Sequence, residues 1–258
     1  MRHNNVWAIV LAGGEGTRVR AFLKQLCGGT GLKQFSPIIG RRSMLQHTLD
    51  RMQQLVPAER TVIVVGAHQS GEALRQLTNW PQENIIYQPA NRDTAPGILL
   101  PFSYITHRDP SATVIVTPSD HFVRDENRFM DAVASALADL KRHCDKMILL
   151  GITPEQGQET EYGYIQVKKS QRATLTRPVG GFVEKPPLAL ARRLINQGAL
   201  WNRMVFTVGG TTLWQDGSGY GAVAVQCLWF DSVDAGQHPC AWLHPTHLSD
   251  NSQRQFLL

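Results

Sequence analysis

Residues 6–18 read Val-Trp-Ala-Ile-Val-Leu-Ala-Gly-Gly-Glu-Gly-Thr-Arg, an apolar run followed at once by a glycine-rich turn. The apolar run predicts a buried β-strand that ends in the glycine-rich turn. Gly13, Gly14 and Gly16 let the backbone curl until several N–H groups point at one anion, and Arg18 adds a cation. A P-loop would need Gly-Lys-Ser/Thr at its end, and the dinucleotide fingerprint would need a glycine in place of Val19. The stretch therefore predicts a triphosphate-binding loop, with a plain strand-to-helix turn as the alternative.

Six further segments continue this pattern in order along the chain. They are Lys33-Gln34-Phe35, Pro-Ala-Asn-Arg-Asp-Thr-Ala-Pro-Gly-Ile at residues 89–98, Pro118-Ser119-Asp120-His121, Glu161-Tyr162-Gly163-Tyr164-Ile165, Phe182-Val183-Glu184-Lys185-Pro186 and Trp201-Asn202. With the glycine loop, they resemble the signature segments of the sugar-1-phosphate nucleotidyltransferases. Residues 89–98 are similar to the block typical of mannose-1-phosphate guanylyltransferases. The resemblance covers residues 6–215, and seven ordered segments are far more specific than any one of them.

Short apolar runs alternate with amphipathic stretches along the first 152 residues. This rhythm predicts strands at 6–11, 61–65, 84–87, 113–117 and 146–152, and helices at 43–55, 70–77, 95–106 and 127–143. Shorter strands at 164–167, 179–183 and 204–208, with a helix at 188–196, are expected to follow. The pattern indicates an α/β fold with a doubly wound, mostly parallel sheet, which the resemblance specifies as a Rossmann-like nucleotidyltransferase core with a smaller sugar-binding subregion. We divide the catalytic domain 1–215 into a nucleotide half, 1–152, and a sugar-phosphate half, 153–215.

Composition excludes several functional classes. The chain has 258 residues, 42% of them hydrophobic, and a net charge of +5 whose basic residues are scattered, so no nucleic-acid-binding stripe is expected. The four cysteines form no Cys-x-x-Cys pair and no zinc spacing, which argues against a disulfide framework. No apolar signal core precedes the first strand, and no stretch of about 18 apolar residues could span a membrane. We therefore expect a cytoplasmic protein that does not bind membranes.

The resemblance implies a reaction in which a sugar 1-phosphate oxygen attacks the α-phosphorus of a nucleoside triphosphate and pyrophosphate leaves. Such a transfer requires that two anions be held in line and that the developing charge be neutralised. By resemblance, the catalytic residues are Arg18, Lys33 and Asp120, and Asp120 is also the ligand of Mg²⁺. His121 is expected to be a hydrogen-bonding neighbour rather than a base. The nucleotide is expected to contact Leu11, Ala12, Gly13, Gly14, Gly16, Thr17, Arg92, Asp93 and Thr94.

Four residues of the second half are expected to bind the sugar phosphate: Gly163, Glu184, Lys185 and Asn202. Glu184 suits sugar hydroxyls and Lys185 suits the phosphate, although an exposed ion pair between them is the alternative interpretation. The chain departs from the family pattern at three places. Leu32 replaces a proline, Arg203-Met204 replaces the Ser-Gly that commonly follows Trp-Asn, and residues 231–236 match only loosely the late segment that supplies a second metal aspartate.

Three interpretations of function remain open from the residues. The first is formation of GDP-mannose from GTP and mannose 1-phosphate with Mg²⁺, in an assembly that the resemblance allows to be a homodimer. The second is a related uridylyl- or thymidylyltransferase. The third is a catalytically weak, regulatory paralogue that binds sugar nucleotides, which the unmatched second aspartate favours.

Residues 216–258 differ in texture from the rest of the chain. Glycine, tryptophan, cysteine, histidine and proline are scattered there without a sustained period of 2 or 3.6, so we expect an irregular, poorly packed tail. We hypothesise that this tail is read out of frame. With a one-base shift and permitted codons, residues 216–225 can become Met-Ala-Gln-Asp-Met-Val-Pro-Ser-Leu-Tyr, an amphipathic helical continuation. Activity is expected to be low if the hypothesis holds.

Overall fold

The structure is a computed structural model that describes residues 5–90, 94–143, 145–154, 160–168, 176–210, 212 and 224–230. The described strands are β1 (Val6–Leu11), β2 (Thr61–Gly66), β3 (Ile85–Gln88), β4 (Thr113–Pro118), β5 (Lys146–Ile152), β6 (Gly163–Val167), β7 (Thr176–Glu184), β8 (Leu200–Gly209) and β9 (Ala224–Phe230). The described α-helices are α1 (Thr17–Cys27), α2 (Met44–Met52), α3 (Ser70–Gln76), α4 (Thr94–Arg108), α5 (Glu126–Arg142) and α6 (Leu188–Asn196).

These strands form one mixed sheet with the order β3-β2-β1-β4-β8-β5-β9-β7-β6. Strands β3, β2, β1 and β4 are parallel, and β8 runs antiparallel between β4 and β5. Helices lie on both faces of the sheet, so the predicted doubly wound α/β fold is confirmed. The sheet is continuous across the boundary that we draw at residue 152, because β8 lies between two strands of the first half.

The core consists of one apolar layer on each face of the sheet. Leu45 and Leu49 of α2 and Val133 of α5 pack on the face that carries Ile63 and Ile115. On the other face, Phe102 and Ile105 of α4 pack with alternate residues of the same strands. Because parallel strands covered on both faces must be apolar on both faces, β1 and β2 read as continuous apolar runs.

The second half adds a small apolar cluster beneath the sugar-phosphate segments. Ala191 and Leu194 of α6 are buried against Tyr164 of β6 and Trp201 of β8. Tyr164 lies opposite Trp201 in the antiparallel pair of β6 and β8. This cluster packs beneath the ends of β6 and β8, where two of the predicted sugar-binding residues, Gly163 and Asn202, lie.

Two elements differ from the sequence-based expectations. Helix α1 immediately follows the glycine loop, where no helix candidate was assigned. Strand β9 lies within the segment expected to be irregular, where it pairs in parallel with β5 and antiparallel with β7. The expectation of an irregular segment was therefore wrong for Ala224–Phe230. The strand is a short and mostly apolar run, so a search for a sustained period of 2 or 3.6 passes over it. The other residues of the 216–258 tail lie outside the described residues.

Candidate active site

A cleft of about 310 Å³ opens at the carboxyl ends of β1 and β4. Its lining consists of Leu11, Gly13, Gly14, Gly16, Lys33, Gln34, Val64, Gln88, Thr94, Gly97, Pro118, Ser119, Asp120 and Met204. Ligands of open parallel sheets bind outside this end of the strands. The cleft therefore brings together residues from four of the seven segments on which the resemblance rests.

Two buried glutamines hold the glycine loop in place. The side-chain amide of Gln34 donates to the carbonyl oxygens of Ala12 and Gly14, each at 2.8 Å. Gln69 donates to the carbonyls of Gly14 and Gly13 at 3.2 and 3.5 Å. Both glutamines are 3% exposed, so these hydrogen bonds are shielded from water. The loop carbonyls are thus engaged on the protein side.

The backbone amides of the same loop, unlike its carbonyls, are not engaged by the described residues. Among the described residues, no partner accepts a hydrogen bond from the backbone N–H of any residue from Gly13 to Arg18. Gly16 adopts φ 55° and begins α1 without a side-chain cap. A helix N-terminus with unpaired amides and a partial positive charge is suited to an anion. Gly16 can adopt this left-handed conformation without the steric cost of a Cβ atom.

Lys33 and Asp120 meet across the cleft. The Lys33 ammonium lies 3.3 Å from the Asp120 carboxylate, and the two side chains are 13% and 39% exposed. Asp120 follows β4, and Ser119 fixes this turn because its hydroxyl and its amide donate to the Leu11 carbonyl at 2.8 and 3.0 Å. The predicted catalytic cation and the predicted metal carboxylate are therefore adjacent.

His121 adjoins the same pair, with its Nε2 atom 3.8 Å from the second Asp120 oxygen. Burial lowers the pKa of His121 to about 3, and the positive charges of Arg203, Lys33 and Arg51 act in the same direction against the effect of Asp120. The imidazole is therefore neutral at pH 7 and too weak a base to take up a proton there. This property agrees with the expectation that His121 is a neighbour and not a base.

Arg18 reaches away from the cleft toward the second half of the chain. It forms an ion pair with Glu161, and the two side chains are 68% and 47% exposed. Glu161 lies just before β6, so the ion pair connects α1 to the strand that carries Gly163. In this arrangement Arg18 does not line the cleft.

The other predicted nucleotide residues are divided among three locations. Leu11 and Thr94 line the cleft, whereas Ala12 is buried and its amide donates to Val64 at 2.7 Å. Thr17 is the first residue of α1. Arg92 and Asp93 lie outside the described residues.

Three predicted sugar-phosphate residues form one row across three strands. Gly163 of β6 pairs with Glu184 of β7 on one side and with Asn202 of β8 on the other. A Cβ atom at Gly163 would lie 2.6 Å from a Glu184 carboxylate oxygen and 3.5 Å from the Cβ atom of Asn202. A side chain at position 163 would have to displace the exposed Glu184 carboxylate, so the glycine leaves room for that group.

Lys185 continues this row in a strained backbone conformation. Its φ is 43°, and its amide donates to the Tyr162 carbonyl at 3.2 Å. The ammonium lies 4.0 Å from the Glu184 carboxylate, with 54% and 71% of the two side chains exposed. A left-handed non-glycine residue at a candidate site is a form of strain that often accompanies function.

Strand β8 bulges directly after Asn202. From Leu149 to Gly151, β5 advances by two residues, while β8 advances by four from Asn202 to Phe206. The Asn202 side chain accepts a hydrogen bond from the Met204 amide at 3.0 Å, and Met204 has φ 57°. Met204 also lines the cleft, so the bulge is the point at which the two predicted half-sites meet.

Arg203 occupies the middle of the bulge and stacks on aromatic rings. Its guanidinium lies 4.0 Å from the centre of the Tyr162 ring and 5.9 Å from that of Trp201. Tyr162 meets Trp201 edge to face with ring centres 5.2 Å apart. Sequence reasoning registered Arg203 only as a departure from a family pattern and did not assign it a role.

Sequence reasoning also missed the roles of Gln34, Gln69 and Gln88. Gln34 entered the resemblance only as part of a segment, and nothing near Gln69 marks it as functional. Gln88 ends β3 and lines the cleft, where a Cβ atom at Gly13 would lie 3.2 Å from its Oε1 atom. Gln88 could have been found from the sequence, because it directly follows the predicted strand 84–87. The hydrogen-bond partners of Gln34 and Gln69 are distant along the chain and become visible only in the folded structure.

The donor set of the cleft suits a hard divalent cation that is shared with a substrate. Among the described residues that line the cleft, Asp120 is the one carboxylate, and no group of three or more histidine, cysteine or acidic residues is present in the described part of the chain. Mg²⁺ is commonly bound by one or two carboxylates together with substrate phosphates and water. Asp120 therefore fits the divalent metal that nucleotidyl transferases generally use. Separately, none of the described helices is both long enough and apolar enough to cross a membrane.

Comparison with known proteins agrees with this geometry. Residues 7–221 match the nucleotidyl transferase family. The chain is 35% identical over 206 residues to the xanthan biosynthesis protein XanB of Xanthomonas campestris pv. campestris (strain B100), covering 79% of this chain and 42% of that protein. It is 35% identical over 216 residues to the mannose-1-phosphate guanylyltransferase ManC of Salmonella typhimurium, covering 80% and 43%.

A solved structure supports the same assignment. The crystal structure described as mannose-1-phosphate geranyltransferase from Thermus thermophilus superimposes with a TM-score of 0.75 at 26% identity, covering 91% of this chain and 75% of that one. The chain spans less than half the length of the two relatives described above. Because the family match extends over most of its residues, the chain belongs to the nucleotidyl transferase family.

Proposed function

We propose that this protein transfers a guanylyl group from GTP to mannose 1-phosphate, forming GDP-mannose and pyrophosphate. The observation that carries the proposal is the cleft in which the Lys33–Asp120 pair faces a glycine loop with unpaired amides. The similarity to guanylyltransferases selects this reaction among the nucleotidyl transfers that such a cleft could perform. The alternative within the same class is a uridylyl- or thymidylyltransferase.

The nucleotide half would bind the triphosphate through its backbone. The amides of Gly13, Gly14 and Gly16 would contact phosphate oxygens, while the buried glutamines keep the loop from rearranging. Lys33 would leave Asp120 and follow the α-phosphate, because an ammonium on a flexible stem can adjust to a moving charge. Arg92 and Asp93 are proposed to contact the nucleotide by resemblance alone, whereas Thr94 also lines the cleft.

The sugar-phosphate half would supply the attacking oxygen. Glu184 would accept hydrogen bonds from the sugar hydroxyls and the Asn202 amide would donate to them, with Gly163 leaving room between the two side chains. Lys185 would bind the phosphate. The sugar 1-phosphate oxygen then forms a bond to the α-phosphorus while the bond from that phosphorus to the bridging oxygen breaks, and pyrophosphate leaves with the electron pair.

We infer that Asp120 would hold Mg²⁺. When bound, the ion would neutralise phosphate charge and orient the triphosphate. The Lys33 ammonium lies 3.3 Å from the Asp120 carboxylate, so a cation already adjoins the group that would hold the ion. Arg18 would exchange Glu161 for a phosphate oxygen, an exchange of low cost because exposed ion pairs contribute at most about 1 kcal/mol.

The reaction is tested by incubating the protein with Mg²⁺, each nucleoside triphosphate in turn and a panel of sugar 1-phosphates, then measuring released pyrophosphate. We expect the highest rate with GTP and mannose 1-phosphate. A higher rate with UTP or dTTP would overturn the guanylyl assignment and favour a uridylyl- or thymidylyltransferase instead. Replacing mannose 1-phosphate with mannose controls for simple hydrolysis of the triphosphate.

A second candidate function is a weakly active regulatory subunit that binds sugar nucleotides. The observation in its favour is that Asp120 is the one carboxylate among the described residues of the cleft. The frameshift hypothesis for residues 216–258 is consistent with this second candidate. If the region is read out of frame, the chain lacks the family's later segment with the second metal aspartate, and activity is expected to be low. Sequencing the gene through it tests the hypothesis, which fails if the shifted frame meets an early stop.

The location and assembly of the protein remain proposals of the same kind. We infer that it acts in the cytoplasm on small-molecule partners, where nucleoside triphosphates are available, and that it forms a homodimer. Sedimentation of the purified protein at several concentrations measures the assembly directly.

A further inference from the structure

Arg203 lies where the two half-sites meet. The bulge of β8 separates Asn202, which belongs to the sugar-phosphate row, from Met204, which lines the nucleotide cleft. Arg203 is the residue between them, and its charge is close enough to His121 to act on that imidazole. Arg203 therefore lies between a residue of the sugar-phosphate row and a residue that lines the cleft.

The guanidinium is held on one face and unpaired at its edge. Stacking at 4.0 Å on Tyr162 fixes the plane of the group, and Trp201 supports that ring from the side. No carboxylate among the described residues forms an ion pair with Arg203. A stacked guanidinium keeps its N–H donors in the plane of the group, pointing outward, so its edge is available to a ligand.

The backbone that presents Arg203 is fixed at some cost. Met204 adopts φ 57°, a conformation that costs a side-chain-bearing residue about 1–2 kcal/mol. The Asn202 side chain stabilises this turn through its bond to the Met204 amide. Strain that is maintained in this way at a bulge points to a functional demand on the residues it presents.

We propose that Arg203 binds the phosphate group of the sugar 1-phosphate in a two-point contact and thereby sets affinity for that substrate. The inference rests on the proposed function. A guanidinium edge presents paired donors that match two phosphate oxygens, whereas the serine common at this position in the family pattern offers one hydroxyl. Arg203 and Lys185 would then approach the phosphate from the two strands that flank β6.

Binding measurements with substituted proteins test this role without depending on turnover. R203M keeps an unbranched stem that can pack on Tyr162 but removes the charge, and R203K keeps the charge but removes the paired donors. R193M makes the same charge change on an exposed residue of α6 and serves as the matched control. Calorimetric titrations with mannose 1-phosphate and, separately, with GTP give the two dissociation constants for each variant.

We expect R203M to weaken mannose 1-phosphate binding about 10- to 100-fold and R203K by a smaller factor, with the dissociation constant for GTP changed less than about twofold. R193M should change neither. Equal losses for both ligands, or a loss for GTP alone, would overturn the assignment. So would unchanged mannose 1-phosphate binding in a folded R203M, and thermal unfolding of each variant establishes that it is folded.

This test separates the two proposals. A wild-type protein that binds mannose 1-phosphate through Arg203 but releases no pyrophosphate would refute the proposed transfer and retain the Arg203 site. A wild-type protein that releases pyrophosphate, with R203M retaining full affinity, would refute the Arg203 site and retain the transfer. A wild-type protein that binds no sugar 1-phosphate refutes both.

Discussion

The nucleotide half and the sugar-phosphate half of the candidate site are organised differently. In the first half, Gln34 and Gln69 are 3% exposed, and their hydrogen bonds hold the glycine loop before any ligand is present. In the second half, the polar groups are solvated, with 71% of the Glu184 side chain and 54% of the Lys185 side chain exposed. The triphosphate would therefore enter a site whose groups are already fixed. The sugar phosphate would instead bind to exposed side chains that become ordered on binding.

This difference predicts how substitutions divide between affinity and rate. A preorganised loop adds little entropic cost on binding, so damage to its support should reduce both stability and nucleotide affinity. Exposed side chains contribute little to the free energy of folding, so their removal should change ligand affinity without changing stability. Arg203 and the bulge of β8 lie between the two halves, because Asn202 on one side of Arg203 belongs to the sugar-phosphate row and Met204 on the other side lines the cleft.

The largest expected effect comes from the ion pair in the cleft. Lys33→Ala and Asp120→Ala should each lower turnover at least about 100-fold, or by about 3 kcal/mol of transition-state stabilisation. Each variant should remain folded, because the pair bonds across a solvent-filled cleft. Steady-state pyrophosphate release is the measurement, and Lys24→Ala on the exposed side of α1 is the control. A rate near that of the wild type would remove the substituted residue from the mechanism.

The next effect comes from the support beneath the glycine loop. Gln34→Ala leaves the buried Ala12 carbonyl without its side-chain donor and leaves the Gly14 carbonyl with Gln69 alone, so the free energy of unfolding should fall by about 2 kcal/mol. The loop should then lose order, and the dissociation constant for GTP should rise about tenfold. Chemical denaturation and GTP titration measure the two quantities. Gln54→Ala at an exposed position should change neither, and a stable Gln34→Ala protein with normal GTP affinity would contradict the preorganised loop.

The same contrast explains what could be predicted from sequence. Strands β1, β2 and β4 were predictable because burial on both faces makes each a continuous apolar run, and helices α2 and α5 were predictable because apolar residues recur at helical spacing. The meeting of the glycine loop with the turn that carries Asp120 follows from the rule that ligands bind at the carboxyl ends of parallel strands, whereas Lys33 was assigned to the site by resemblance alone.

Other features depend on partners that are distant along the chain. Gln69 supports the loop from 55 residues away, and β9 is specified by the edges of β5 and β7 rather than by its own pattern. Arg203 stood out only as an exception to a family pattern. A bulge in the register of two strands cannot be inferred from the sequence of one of them, so its placement needed the structure.

In the sugar-phosphate half, Glu184→Gln should raise the Michaelis constant for mannose 1-phosphate about fivefold, because it removes one charge-assisted hydrogen bond, and leave that for GTP unchanged. Asn202→Ala should produce a similar effect and also lower stability, since it frees the Met204 amide in the bulge. Kinetics with each substrate varied in turn separate the two constants. If GTP affinity fell while mannose 1-phosphate affinity held, the assignment of the half-sites would be reversed.

The smallest expected effect is a gain in stability at Lys185. Glycine adopts φ 43° without the penalty of about 1–2 kcal/mol that a side chain incurs, although it loses about 0.5–1 kcal/mol through the greater entropy of the unfolded chain. Lys185→Gly should therefore raise the free energy of unfolding by about 0.5 kcal/mol while weakening mannose 1-phosphate binding. Lys185→Ala is the matched control, because it removes the same ammonium but keeps the strained backbone. We expect both variants to lose the same affinity and only the glycine variant to gain stability in denaturation experiments. Equal stabilities would show that the backbone at Lys185 stores no strain, and unchanged affinity in both would remove Lys185 from the phosphate site.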